Sequence, residues 1–118
     1  MAKQPGGALE QEIMVVLWAA ERALPPGEIR ARLNRDLAYT SVATVLGRLQ
    51  SKGLVERIES GRAFVYRAVV DEPELAARRI GAVLSATSDR AAVLARFIGN
   101  LSKRDAKALR AILDGIEP

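Results

Sequence analysis

The chain has 118 residues, of which 49% are hydrophobic and only 4% aromatic, and its formal net charge is +4. This length suits one compact domain, or a small domain with an appended element, and argues against a large self-sufficient enzyme. Cys and His are both absent, which removes disulfides, thiolate metal sites and histidine-based catalysis. We therefore predict a mainly helical protein that is not an enzyme and uses no metal or other cofactor, and whose basic charge permits an anionic partner.

The longest apolar run, residues 13–20 (IMVVLWAA), is too short to span a bilayer, and no cationic leader precedes it. We expect a cytoplasmic protein without membrane insertion. Residues 1–7 (MAKQPGG) are small, polar and rich in Gly and Pro, which predicts a flexible arm. A mostly buried first helix follows from Leu9, with Trp18 in the core, because apolar residues recur there at helical spacing.

A second, short helix is predicted after the break at Pro25, Pro26 and Gly27, and it ends near Leu33. A third helix follows to about Lys52. Thr40 or Ser41 can cap its start, and Gly53 supplies a left-handed stop.

The two sides of this third helix differ. One side carries an aliphatic stripe at the spacing of a core-facing helix: Val42, Val45, Leu46 and Leu49. The other side carries short hydroxyls, a glycine and one cation: Thr40, Thr44, Gly47, Ser51 and Arg48. This second side is neither the mixture of charges typical of a solvated face nor a second apolar surface. It predicts a surface that another molecule approaches closely.

The periodicity then changes to that of a β-hairpin. Residues 54–59 (LVERIE) and 62–68 (RAFVYRA) alternate apolar and polar positions, and Ser60-Gly61 between them is a turn signal. A hairpin this short needs helices to pack against.

Three amphipathic helices are predicted from Asp71 onward, with starts marked by Asp71 and Glu74, by Asp89, and by Ser102 and Asp105. The first ends near Ala86 and the second at Gly99-Asn100. Their apolar stripes could fold back on the first core or meet a second copy of the chain, and we favour the second copy. The predicted dimerisation residues are Leu75, Ile80, Val83, Leu84, Val93, Leu94, Phe97, Ile98, Leu109, Ile112, Leu113 and Ile116.

Three helices followed by a hairpin with a basic tip form the order of a winged helix-turn-helix, whose third helix enters the DNA major groove. We therefore predict an arm (1–7), a winged-helix DNA-binding domain (8–70) and a helical dimerisation region (71–118). Residues 37–70 hold five cations against two acids, so positive charge concentrates in this half. Arg48 is suited to a bidentate base or phosphate contact, whereas Lys52 and Arg62 are better placed for the DNA backbone.

Two other interpretations stay open on pattern alone. A winged helix can serve as a protein-interaction module without a DNA site. An enzyme is the third and remote alternative, because no pair of residues offers a base and a nucleophile at useful spacing.

The motif LAYTSVATVLGRLQSKGLV, with EQEIMVVLW upstream and GRAFVYRAVV downstream, resembles the penicillinase-repressor family of bacterial transcription regulators over residues 9–116. The resemblance implies a repressor that binds a palindromic operator as a homodimer. By position it places Tyr39, Thr40, Ser41, Ala43, Thr44, Gly47 and Arg48 on the recognition helix, and Arg62 on the wing. Relatives often carry longer polar side chains where this chain has Ala43 and Gly47, so we expect DNA shape to contribute more to operator choice.

The resemblance also suggests how DNA is released. In relatives that control β-lactam resistance, a membrane sensor-protease pathway leads to cleavage of the repressor before a Phe, and the matching bond here is Arg96-Phe97, with Arg instead of the usual Asn. We therefore expect release through loss of dimerisation, with a sensor-linked protease as a candidate partner. The metal-binding cysteines of the copper-responsive branch are missing.

Overall fold

A computed structural model describes residues 7–116, so most of the predicted arm lies outside the described residues, and Gly7 already belongs to the first helix. The elements follow the predicted order: α1 Gly7–Ala19, α2 Pro26–Arg32, α3 Tyr39–Ser51, β1 Val55–Ser60, β2 Ala63–Ala68, α4 Glu72–Ala86, α5 Arg90–Gly99 and α6 Lys103–Asp114. The predicted class, mainly helical with one small hairpin, is confirmed.

The chain divides into two compact units, and the first ends at Leu75. This boundary lies five residues beyond the end of the winged-helix domain that we predicted at residue 70. The core of the first unit comes from one face of each of its elements: Ile13, Met14, Leu17, Leu24, Ile29, Leu33, Val42, Val45, Leu46, Leu49, Leu54, Val55, Tyr66 and Leu75. Trp18 packs against this core as predicted, and its indole Nε1 donates a hydrogen bond to the carbonyl oxygen of Val70 at 2.8 Å.

Strands β1 and β2 pair antiparallel from Val55 opposite Ala68 to Ser60 opposite Ala63. The turn therefore consists of Gly61 and Arg62, one residue later than the predicted Ser60-Gly61. Gly61 has φ 64°, and no other residue type among those described has a positive φ, so the left-handed conformation falls on the first turn position. A glycine at that position is typical of a type II′ hairpin turn, whose twist suits the strands. The turn places Arg62 at the tip of the wing.

Leu24 joins the hairpin as a third, isolated pairing. Its N–H donates to the carbonyl oxygen of Tyr66 at 2.9 Å, and the Tyr66 N–H donates back to the carbonyl oxygen of Leu24 at 2.8 Å. This pair of bonds ties β2 to the segment before α2, which gives the short hairpin the support that it needs.

The helices of the second unit begin where the capping signals predicted. The Asp89 carboxylate accepts from the Ala92 N–H at 3.1 Å, and the Ser102 hydroxyl accepts from the Asp105 N–H at 3.0 Å. These side chains satisfy N–H groups that lack a partner in the first turn of a helix. At the start of α4, Asp71 does the same for the Glu74 N–H at 2.9 Å.

Candidate nucleic-acid interface

Helix α3 begins one residue earlier than its expected cap. Ala38 occupies the N-cap position and makes no side-chain capping bond, so the prediction that Thr40 or Ser41 caps this helix is wrong. Both residues lie inside the first turn, where their hydroxyls project from the helix surface. Those hydroxyls therefore stay available to a partner molecule.

The predicted reading face of α3 is exposed along its whole length. Thr40, Ser41, Thr44 and Arg48 line a shallow cleft of about 310 Å³, which Leu9 of α1 closes on one side. Hydroxyl groups both donate and accept hydrogen bonds, and guanidinium donates in a planar fork, so this cleft suits phosphate oxygens or base edges. Ser51 continues the same exposed side toward the end of the helix.

Gly47 lies between these side chains on the exposed side. A methyl group placed on its Cα would meet no atom within 4 Å, so the fold itself does not require glycine here. Glycine in a helix interior destabilises the helix by about 0.5–1 kcal/mol relative to alanine. The missing side chain thus has a cost in the free protein, and it leaves the surface of α3 open to close approach at this position.

A second cleft, of about 360 Å³, separates α3 from the wing. Tyr39 and Ala43 line it from the helix, and Arg62 and Phe64 line it from the hairpin. The structure therefore brings together the predicted residues of the recognition helix and of the wing along one continuous side of the first unit.

Lys52, which we expect at the DNA backbone, has an internal partner. Its Nζ donates to both carboxylate oxygens of Glu10 in α1, at 2.8 and 3.0 Å. The Glu10 side chain is only 9% exposed, whereas that of Lys52 is 55% exposed. Sequence reasoning missed Glu10, because Gln11 and Glu12 follow it directly and nothing in the pattern separates the buried acid from its less buried neighbours.

The cations of the wing are also largely engaged within the hairpin. The Arg57 guanidinium lies over the Phe64 ring, 4.1 Å from its centroid, and Arg67 forms an ion pair with Glu56 across the strands. In residues 7–116, neither Arg48 nor Arg62 has an ion-pair partner. Arg57 has no ion-pair partner there either, so the uncompensated positive charge of residues 37–70 lies on Arg48, Arg62 and Arg57, and Arg57 is held against Phe64.

The second unit carries the other predicted site, the apolar stripes of α4 to α6. Leu75 does not belong to it: this side chain is 4% exposed and packs in the core of the first unit, so its assignment to the dimer interface is wrong. Six of the other predicted residues line an apolar groove of about 230 Å³ between α4 and α5: Ile80, Val83, Leu84, Val93, Leu94 and Phe97.

The remaining predicted interface residues lie on α5 and α6 or just beyond. Ile98, Ile112, Leu113 and Ile116 are exposed, and Leu109 is half-buried. Within residues 7–116, no three Asp or Glu side chains gather in a way that could hold a metal ion. Of the helices described, none combines the length and the apolar character needed to cross a bilayer.

Comparison with known proteins places the sequence in one family. Residues 6–115 match the family described as Penicillinase repressor. The chain is 36% identical over 116 residues to a protein named transcriptional regulator BlaI from Mycobacterium tuberculosis, and the match covers 94% of this chain and 84% of that protein.

Solved structures of other regulators share the fold. An ArsR-like transcriptional regulator from Rhodococcus sp. RHA1 has a TM-score of 0.51 at 25% identity, with 92% of this chain and 83% of that chain covered. PcaV, a transcriptional regulator from Streptomyces coelicolor, has a TM-score of 0.50 at 22% identity, with 99% and 81% covered. A mutant of S. aureus MepR has a TM-score of 0.51 at 18% identity, with 89% and 73% covered.

The winged-helix fold is therefore confirmed, and the interpretation as an enzyme is set aside because the family consists of repressors. With a match over nearly its whole length, the chain belongs to the penicillinase repressor family and is a DNA-binding transcriptional repressor.

Proposed function

We propose that this repressor binds a palindromic operator as a homodimer, in which each protomer places α3 in a major groove and its wing tip on the adjacent backbone. Two-fold symmetry in such a protein matches a palindrome whose half-sites lie about one helical turn, or a multiple of it, apart. The observation that supports the dimer is the low burial of the second unit in a single chain. None of its described residues, 76–116, is buried.

Many large apolar side chains of this unit are exposed in the single chain. Eight of them are 41–63% exposed: Ile80, Val83, Leu94, Phe97, Ile98, Ile112, Leu113 and Ile116. Fully burying one aliphatic side chain contributes roughly 1.5–3 kcal/mol, so a second copy that covers these stripes gains a large apolar term. Clustered apolar surface of this kind marks an interaction site.

On the DNA side, the proposal assigns direct contact to the exposed side of α3 and to the wing tip. Arg48 is placed for a base edge or phosphate, and Arg62 for phosphate. The hydroxyls of Thr40, Ser41, Thr44 and Ser51 supply shorter contacts, and Tyr39 and Ala43 flank the cleft toward the wing. Ala and Gly offer no hydrogen-bonding side chain, so operator shape and deformability supply part of the discrimination.

The dimer is tested by sedimentation of the full chain at micromolar concentration. Val83→Glu adds a charge to the groove between α4 and α5 and should convert the dimer to a folded monomer. Val15→Glu is the matched control, because Val15 is also a half-exposed valine on a helix surface, 49% exposed on α1. If Val83→Glu stays dimeric and Val15→Glu becomes monomeric, the interface lies on the first unit and the proposal is wrong.

Release from DNA follows, in this proposal, from loss of the dimer. Linking two half-site readers raises their combined affinity by roughly 10²-fold or more, so separating them empties the operator without altering α3. A sensor-linked protease that cuts at Arg96-Phe97, as in a β-lactam or cell-wall stress response, would act on a bond in the last turn of α5. This bond must leave the helix before a protease can bind it.

The release step is tested separately from that bond. A protease site inserted at Asn100-Leu101, between α5 and α6, allows the chain to be cut while operator occupancy is followed by fluorescence anisotropy. The cut protein should become monomeric and lose the operator. Retention of the dimer at unchanged affinity would direct the search to a ligand instead.

A further inference from the structure

The ion pair between Lys52 and Glu10 links the end of the recognition helix to α1. Both carboxylate oxygens of Glu10 accept from the Lys52 ammonium, at 3.0 and 2.8 Å, and the acid is almost completely buried. In the part of the chain that the structure describes, it is the one polar side-chain contact between residues 39–52 and another element. The buried side chains of α3 are all aliphatic: Val42, Val45, Leu46 and Leu49.

We propose that Glu10 is a positioning residue for operator recognition: through Lys52 it fixes the placement of α3 against α1, and Lys52 is consequently not a DNA phosphate contact. This inference rests on the proposed reading role of α3. The sequence pattern predicted that Lys52 contacts the DNA backbone. The inference gives Lys52 an internal role instead.

Lys52 has a strong reason to keep its partner when DNA arrives. Turning its ammonium to a phosphate would leave the buried Glu10 carboxylate without a counter-charge, and an uncompensated buried charge is costly. The phosphates would also bring further negative charge toward that carboxylate. Arg48 and Arg62 have no ion-pair partner within residues 7–116, so each can neutralise a phosphate without leaving a buried acid unpaired.

The pair supplies what the aliphatic core cannot. Apolar burial is non-directional, so Val42, Val45, Leu46 and Leu49 hold α3 against the core but resist small rotations and slides weakly. A doubly hydrogen-bonded ion pair prefers defined distances and angles. Because it lies at the end of α3, it resists a swing of the helix. The orientation of Arg48, one turn earlier, depends on that swing.

The test uses the full chain, a random-sequence duplex, and an operator duplex obtained by in vitro selection with the wild-type protein. Lys52→Met removes the charge while keeping the length of the side chain. The double variant Glu10→Gln/Lys52→Met removes both charges, so it avoids a buried unpaired acid and serves if the single variant unfolds. The exchange Glu10→Lys/Lys52→Glu restores an ion pair of opposite polarity. Arg48→Ala is the reference for loss of a DNA contact.

Binding is measured as a function of salt. For Lys52→Met and the double variant, the slope of log affinity against log salt on random DNA should match the wild type. Arg48→Ala should reduce that slope by about 1.8 for a dimer that loses one contact per protomer. The preference for operator over random DNA should fall at least about fivefold in both Lys52→Met variants, the lower end of what one misplaced base contact costs. The exchange should restore that preference.

Two results would overturn the inference. The first is a reduced salt slope for Lys52→Met and for the double variant, together with poor binding of random DNA by the exchange variant. Because the exchange puts an acid at position 52, this pair of results would identify Lys52 as a phosphate contact. Unchanged operator preference in the double variant would show that the pair does not position α3. The proposed function fails in a different way, with Arg48→Ala leaving both operator affinity and salt slope unchanged.

Discussion

Replacing Gly47 by Ala should make the free repressor more stable and its complex with the operator weaker. The added methyl group meets no atom within 4 Å, so it introduces no clash in the free protein. Gly47 lies well inside α3, where exchange of glycine for alanine gains about 0.8–1 kcal/mol of helix propensity. For a domain of this size, a gain of that order raises the melting temperature by roughly 3–8 °C.

In the complex, the same methyl group occupies space next to α3 that we expect the DNA to occupy. We expect operator affinity to fall about tenfold, which corresponds to about 1.4 kcal/mol. Calorimetry at fixed protomer concentration gives the melting temperature, and fluorescence anisotropy gives the affinity. The matched control is Gly81→Ala, another exposed glycine inside a helix with no atom near the added methyl, which should raise stability without weakening DNA binding. If Gly47→Ala binds the operator as tightly as the wild type, close approach of α3 is not the reason for this glycine.

Four further substitutions separate the roles of base contact, backbone contact and structure. Arg48→Ala should weaken operator binding by roughly 1–3 kcal/mol and relax the preference at one base pair per half-site, whereas Arg62→Ala should weaken operator and random duplex alike. Equal losses for both variants on both duplexes would show that Arg48 contacts only phosphate. Leu75→Ala should destabilise the first unit by about 2–5 kcal/mol in denaturant unfolding while leaving the dimer constant unchanged, since its side chain is in that core. Ser102→Ala should lower the free energy of unfolding by about 0.5–2 kcal/mol through loss of the α6 cap. Unchanged stability would show that this capping bond does not stabilise the protein.

Most of the fold could be predicted from local patterns. The change from helical to alternating periodicity after Gly53 located the hairpin, and the caps at Asp89 and Ser102 located two helix starts, because these signals act within one turn or one strand. The turn was misplaced by one residue because Ser60-Gly61 and Gly61-Arg62 are both acceptable two-residue loops. Cross-strand packing, which the sequence does not display, decides between them.

What the sequence did not reveal about the candidate sites depends on contacts between distant residues. Lys52 looks like a free cation until α1 brings Glu10 to it from 42 positions away. Leu75 fits the apolar period of α4, but periodicity says only that a residue faces apolar surface, not which surface. The exposed side of α3 was predictable because it required only the spacing of residues within a single helix.

The internal pairing of the cations around the wing bears on how the repressor searches a chromosome. With Arg48, Arg57 and Arg62 as the cations of residues 37–70 that have no ion-pair partner, the proposed dimer neutralises about six phosphates through this half, and raising salt from 50 to 200 mM lowers its affinity for random DNA by about 10³. Five free cations per protomer would make that factor about 10⁵ and would hold the protein more firmly on the millions of competing sites at low salt. A repressor with few free cations dissociates readily from unrelated DNA. It therefore needs fewer copies per cell to keep a small number of operators occupied.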